Sequence, residues 1–179
     1  MKNESTAFTE TDLQGFLDEM IDHDRLALAE RLQRASERLA DYGRLVTAAD
    51  RQESVPPQTE GWSAHEVLAH IVVLSKFYGV VFHKVSSGKM TELDLLNNVG
   101  LRDAMDEQMA QIEPKELIRM ALEDHARTIK GLRAADAASM RRVVKVDRGG
   151  ETMTAEEVAR LPLISHLELH IDQLARALA

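Results

Sequence analysis

The sequence predicts an all-α protein, a four-helix bundle with one short β-hairpin before its last helix. Three observations carry that expectation. Apolar residues recur at spacings of three and four in four separate segments. Two capping boxes mark helix starts, Ser63/Glu66 and Thr154/Glu157. One stretch, 141–153, changes to alternating β-branched residues around an Asp-Arg-Gly-Gly turn.

Each element follows in turn. Leu13, Phe16, Leu17, Met20, Ile21, Leu28, Leu32, Leu39 and Val46 define an amphipathic first helix over about 11–49. The paired prolines of VPPQTEG (55–61) end it. A second helix starts at the Ser63 box, with Trp62 and Val67 as its hydrophobic staple, and stops at Gly88. Residues 89–100 read as a connector with a helical turn around Leu93–Leu96. A third helical region, about 101–134, is divided by Pro114, which suits the first position of a new helix. Beyond it, Ile118, Leu122, His125, Ile129 and Leu132 form a core stripe. The last helix starts at the Thr154 box, stapled by Met153 and Val158, with a kink expected at Pro162.

Composition narrows the function. The 179 residues fit one domain, 1–179, and are enough to bury a full core. A net charge of -8 argues against nucleic acid as a partner, since phosphate contact needs a clustered basic surface. Arg141, Arg142, Lys145 and Arg148 form a short basic cluster that reads as a charged hairpin edge, with contact to an acidic small molecule as the alternative. The chain contains no cysteine, so any thiol in its chemistry must arrive with a small molecule. The polar start MKNESTAFTETD lacks the apolar stretch of a signal peptide, and no run approaches ~20 apolar residues, so a cytoplasmic protein without a membrane partner is expected.

The histidines carry the sharpest signal. His166 and His170 are four apart on one helix, so they differ by only ~40° in direction and ~6 Å along the axis. Leu163, Leu174 and Ala177 share their face, which turns the pair inward, and Gln173 returns to it; Glu168 points away. His70 lies on the Val67, Ile71, Leu74, Val81 stripe and also points inward. His83 is ~20 Å further along the same helix and cannot join. His65, in the first turn, and His23, in the polar run IDHD, read as exposed. A lone inward histidine is ordinarily a hydrogen-bonded core residue, and His125 is read so, while remaining the nearest candidate for a fourth ligand. Three converging imidazoles point instead to one divalent ion held by His70, His166 and His170. Imidazole ligation suits zinc, nickel, iron or copper and does not choose among them; zinc or nickel is expected first, with iron or manganese as alternatives. Three neutral ligands leave coordination positions for water or substrate, the pattern of a catalytic site.

GWSAHEVLAHI (61–71) resembles the tryptophan–serine helix start and metal histidine of the DinB/YfiT-like superfamily, and HLELHIDQL (166–174) resembles its C-terminal H-x-x-x-H-x-x-Q signature. The resemblance runs over nearly the whole chain. It implies an up-down-down-up bundle, His70, His166 and His170 as metal ligands, and often a homodimer. It also implies kinship with thiol S-transferases and mycothiol-dependent maleylpyruvate isomerases. The isomerases usually carry glutamate where His166 stands, which sets this chain nearer the all-histidine branch. That branch often has adjacent histidines and an Arg-Gly-Gln ending, whereas here Leu169 precedes His170 and Ile171-Asp172-Gln173 follows.

Three functions remain open at this level. One is an enzyme that transfers a low-molecular-weight thiol to an electrophilic small-molecule substrate, or hydrolyses it with an activated water. The second is a non-catalytic metal-binding stress or sequestering protein. The third is a bundle with core histidines only. Trp62 reads as a plug that staples the second helix, with a substrate contact as the alternative. Val73, Val80 and Phe82 lie off the metal-facing stripe and would suit a dimer face.

Overall fold

The computed structural model describes residues 10–47, 62–95, 98–147 and 150–178. Helix α1 spans Glu10–Gly43 and α2 Ala64–Ser86; strand β1 is Glu92–Leu93; α3 is Val99–Met109, α4 Pro114–Ala134 and α5 Ala137–Met140. Strands β2 (Val143–Val146) and β3 (Glu151–Thr154) follow, then α6 (Ala155–Val158), a π-helical segment (Ala159–Ser165) and α7 (His166–Ala177).

Side-chain pairings fix the direction of each long helix. Arg25 reaches the Leu132 carbonyl, Ser36 meets His125, and Gly43 lies against Ile118, so α1 and α4 are antiparallel. Ser75 meets His125, Gly79 lies against Thr128 and Gly131 against Phe82, so α2 and α4 are parallel. Arg31 pairs with Glu168 and Arg38 with Asp172, so α1 and α7 are parallel. Each of α1 and α2 packs on both α4 and α7. The four helices therefore run up, down, down, up, as expected.

Local rules account for most boundaries. Both capping boxes form: Ser63 Oγ accepts from the Glu66 amide while Ser63 N–H donates to Glu66 Oε2 at 2.7 Å, and Thr154 and Glu157 repeat the pattern. Gly88, at φ +73°, closes α2 in the left-handed region that suits glycine. Pro114 takes the first turn of α4. The core stripe of α1 begins later than its periodicity suggests: Leu28, Leu32 and Leu39 are buried, whereas Leu17 and Met20 are exposed. The helix also stops at Gly43 rather than near 49. There a β-carbon would sit 2.8 Å from the Ile118 side chain, so glycine lets α1 and α4 approach closely. The proline segment 55–61 lies outside the described residues.

Four features depart from the sequence expectation. The connector after α2 forms β1 at Glu92–Leu93, where the sequence predicts the start of a helical turn; Leu96, the end of that predicted turn, lies outside the described residues. Strand β1 pairs parallel to β2, which pairs antiparallel to β3, and Leu93 is buried. The hairpin is therefore part of a three-stranded sheet. The last helix opens into a π-helical segment around Pro162 instead of a simple kink, the wider turn accommodating a residue with no N–H to donate. Helix α2 has the length and hydropathy of a membrane span after all, but 61% of its apolar window is buried in the bundle. Val73 and Phe82 are core residues, which leaves Val80 alone of the three on the surface.

Candidate metal centre

The bundle brings His70, His166 and His170 together. One nitrogen from each lies within 4.8 Å of the other two, and among the described residues they form the one cluster able to hold a metal ion. Ring centroids are 4.7 Å apart for His70 and His170, 4.8 Å for His166 and His170 and 5.8 Å for His70 and His166. Small ring rotations would close these separations onto an ion with ~2.0–2.1 Å bonds.

Each ring is oriented from outside the cluster. His170 Nδ1 lies 2.9 Å from Gln173 Oε1, which can only accept, so the Nδ1 proton is fixed and Nε2 carries the lone pair. That Nε2 is buried and has no hydrogen-bond partner among the described residues. His70 Nδ1 lies 2.9 Å from Asp106 Oδ2, an arrangement in which a carboxylate holds the ring and raises its basicity as a ligand. His166 sits at the exit of the π-helical segment, where its ring interacts with the Pro162 carbonyl. Burial pushes the His170 pKa down to about 4, against the opposing Gln173 contact. Burial also lowers that of His166, helped by the neighbouring His70 and, more weakly, by Arg102. Neutral imidazoles with directed lone pairs are the form a metal needs, so the donor set fits a divalent ion.

Trp62, expected as the staple of the second helix, lies against the histidines. Its ring lies 4.8 Å from that of His70 and 6.2 Å from that of His170, so it walls the cluster. A cleft of about 240 Å³ opens beside His70, with Trp62, Glu66, Asp103, Asp106 and Glu107 around it.

The other histidines sort differently. His125 is buried, with Ser36 Oγ 2.8 Å from Nδ1 and Ser75 Oγ 2.8 Å from Nε2, so both nitrogens are occupied and it cannot serve as a fourth ligand. Burial alone takes its pKa to about 4. His65 is not exposed: it is buried, and its Nε2–H donates to the Ile112 carbonyl at 2.8 Å, tying the start of α2 to the turn before α4. His23 and His83 are exposed. Glu168 is half-buried and turned away from the cluster onto Arg31, and Ala177 is exposed. Asp106 was not legible in sequence, because Asp103, Asp106 and Glu107 are equivalent there and only the packing of α3 on α2 selects one.

Comparison with known proteins supplies the family. The model of the DinB superfamily matches residues 27–174. No curated protein sequence matches significantly. In fold the chain is similar to the crystal structure of the mycothiol-dependent maleylpyruvate isomerase, at TM-score 0.67 and 19% identity. It is equally similar to a histidine-to-alanine mutant of that isomerase, at TM-score 0.67 and 18% identity. Each match covers 86% of this chain and 60% of the isomerase, so this chain spans well under two thirds of those proteins. With the family model matching most of its length, the chain belongs to the DinB superfamily.

Proposed function

We propose that this protein is a metal-dependent enzyme in which His70, His166 and His170 hold one divalent ion and a low-molecular-weight thiol is transferred to an electrophilic substrate. The observation that carries the reading is the buried Nε2 of His170, without a hydrogen-bond partner among the described residues and clustered with the His166 ring and with His70, whose Nδ1 is engaged by Asp106. An ion bound there would supply Lewis acidity and lower the pKa of an incoming thiol or water. The chain's own residues do the rest. Asp106 and Gln173 hold two ligand rings in register and fix their tautomers. Trp62 packs over His70 and shields the site from bulk water. The cleft beside His70, at about 240 Å³, lies just under the ~300 Å³ lower end of ordinary ligand pockets and suits only a small substrate.

The absence of cysteine requires the thiol to come from outside. The fold shared with a mycothiol-dependent enzyme supports a thiol as that reactant. Asp106 is paired with His70 and Glu66 with the Ser63 backbone, so of the cleft's four carboxylates these two are committed elsewhere.

The test is spectroscopy of cobalt-substituted protein with glutathione, mycothiol and bacillithiol in turn. A new sulfur-to-metal charge-transfer band, with turnover of a generic alkylating electrophile, is expected for one of them. A cobalt spectrum indifferent to thiols and anions would refute the catalytic reading and favour a metal-sequestering protein.

A further inference from the structure

Two residues on one face of α3 lie over α2. Asp106 meets His70, and Arg102, four residues earlier and ~6 Å back along the helix, meets Tyr78, eight residues beyond His70. The two helices are thus antiparallel, and Arg102 lies toward the far side of the metal centre from Trp62. Its charge contributes at His166, consistent with that placement.

Arg102 is half-buried and under-used. Nη1 is 3.3 Å from Tyr78 Oη, Nη2 is 3.5 Å from the Leu95 carbonyl, and the guanidinium rests 5.3 Å from the centre of the Phe77 ring. Both hydrogen bonds are long, and a guanidinium has five N–H donors to place. No carboxylate pairs with it among the described residues, whereas Arg31, Arg38 and Arg160 each have one. Tyr78 is buried, and desolvation raises its pKa, so its hydroxyl keeps a proton to donate. The opposite side of the site carries Glu66, Asp103 and Glu107, which repel an anion.

We propose that Arg102, with the Tyr78 hydroxyl beside it, binds a carboxylate of the substrate and so determines substrate specificity at the metal centre. A planar guanidinium suits a planar carboxylate through two parallel N–H···O bonds. Glu66, Asp103 and Glu107 around the cleft on the Trp62 side repel the anionic end of a bound molecule, which favours its turning toward Arg102. This inference rests on the metal-dependent reading above, and its test separates the two.

Calorimetric titration of zinc-loaded protein with malonate and with malonamide reads the site directly. Wild type should bind malonate with a dissociation constant of about 1 mM or tighter, and malonamide at least tenfold more weakly. Arg102→Met should lose malonate binding by at least tenfold with zinc content and helicity unchanged. Arg102→Lys, which keeps the charge but not the fork, should fall between. Kinetics with iodoacetate and iodoacetamide as alkylating substrates supply a matched pair. Arg102→Met should raise KM for iodoacetate alone, whereas a merely structural role would move both. Three results would overturn the proposal: wild type that ignores malonate, Arg102→Met within twofold of wild type, or loss of zinc together with malonate. If Arg102→Met does not fold, Arg102→Lys binding malonate as wild type does would overturn it equally. Arg102-dependent malonate binding without any thiol transfer would refute the catalytic reading and leave this site standing.

Discussion

Mild acid should destabilise the metal-free protein through His125, and by an amount the structure sets. His125 is fully buried between α1 and α2 with both ring nitrogens on serine hydroxyls, and desolvation holds its pKa at about 4 against an ordinary 6.5. The folded form therefore keeps the ring neutral while the unfolded chain protonates it. Stability is full above pH ~6.5 and is lost as pH falls through ~4. The 2.5-unit difference corresponds to about 3 kcal/mol in full and about 2 kcal/mol between pH 7 and pH 5, a large share of a typical domain's stability. The comparison is a Ser36→Ala/Ser75→Ala/His125→Leu triple variant. It removes the titrating group together with its partners, whereas His125→Leu alone would strand two buried hydroxyls at about 1–3 kcal/mol each. Urea unfolding of both proteins at pH 7 and pH 5 gives the pH-dependent loss. His166 and His170 titrate in both and cancel. Wild type should lose about 2 kcal/mol more than the triple variant. Equal losses would refute the assignment of the depressed pKa to His125.

Untagged protein should carry one divalent ion per chain, and His70→Ala, His166→Ala and His170→Ala should each greatly reduce the metal content found by atomic absorption. His83→Ala should not, since that residue is exposed near the far end of α2. Asp106→Asn should weaken metal affinity ~10–100-fold by competition with a chelator, with the far-UV spectrum unchanged. A homodimer is expected by light scattering at micromolar concentration; Val80 is the residue of the three that remains available for it, so Val80→Glu should shift the equilibrium toward monomer.

The parts of the fold legible in sequence are those specified over a few residues. The Ser63 and Thr154 boxes, the stop at Gly88 and the start at Pro114 are local devices, and each forms where its residues stand. The histidine cluster was legible for a related reason: four-residue spacing fixes His166 and His170 relative to each other, and the apolar stripe of α2 fixes the direction of His70. What could not be read depends on distant contact. Strand β1 is two residues long and exists because β2 lies beside it, about fifty residues away in the chain. His65 has the sequence surroundings of a surface residue and is buried by a carbonyl from the turn before α4. Gly43, the last residue of α1, lies against Ile118 of α4, a close approach set by packing alone. Asp106 and Arg102 matter through the face that α3 presents to α2, a face with no apolar periodicity to announce it.

Helix α3 has a consequence for how the site responds to its ion. None of its residues is fully buried, and it meets the bundle through side chains such as Asp106 and Arg102. A helix with no fully buried residue, held by partly buried Met109 and by polar contacts, belongs to the low-stability end of a fold and opens without global unfolding. Asp106 would improve His70 as a ligand when α3 is docked, so by reciprocity an ion held at the cluster would tighten the docking of α3 by the same factor. Metal loading should then slow amide hydrogen exchange over Val99–Met109 more than in α4, making α3 the segment through which occupancy of the centre is felt at the protein surface.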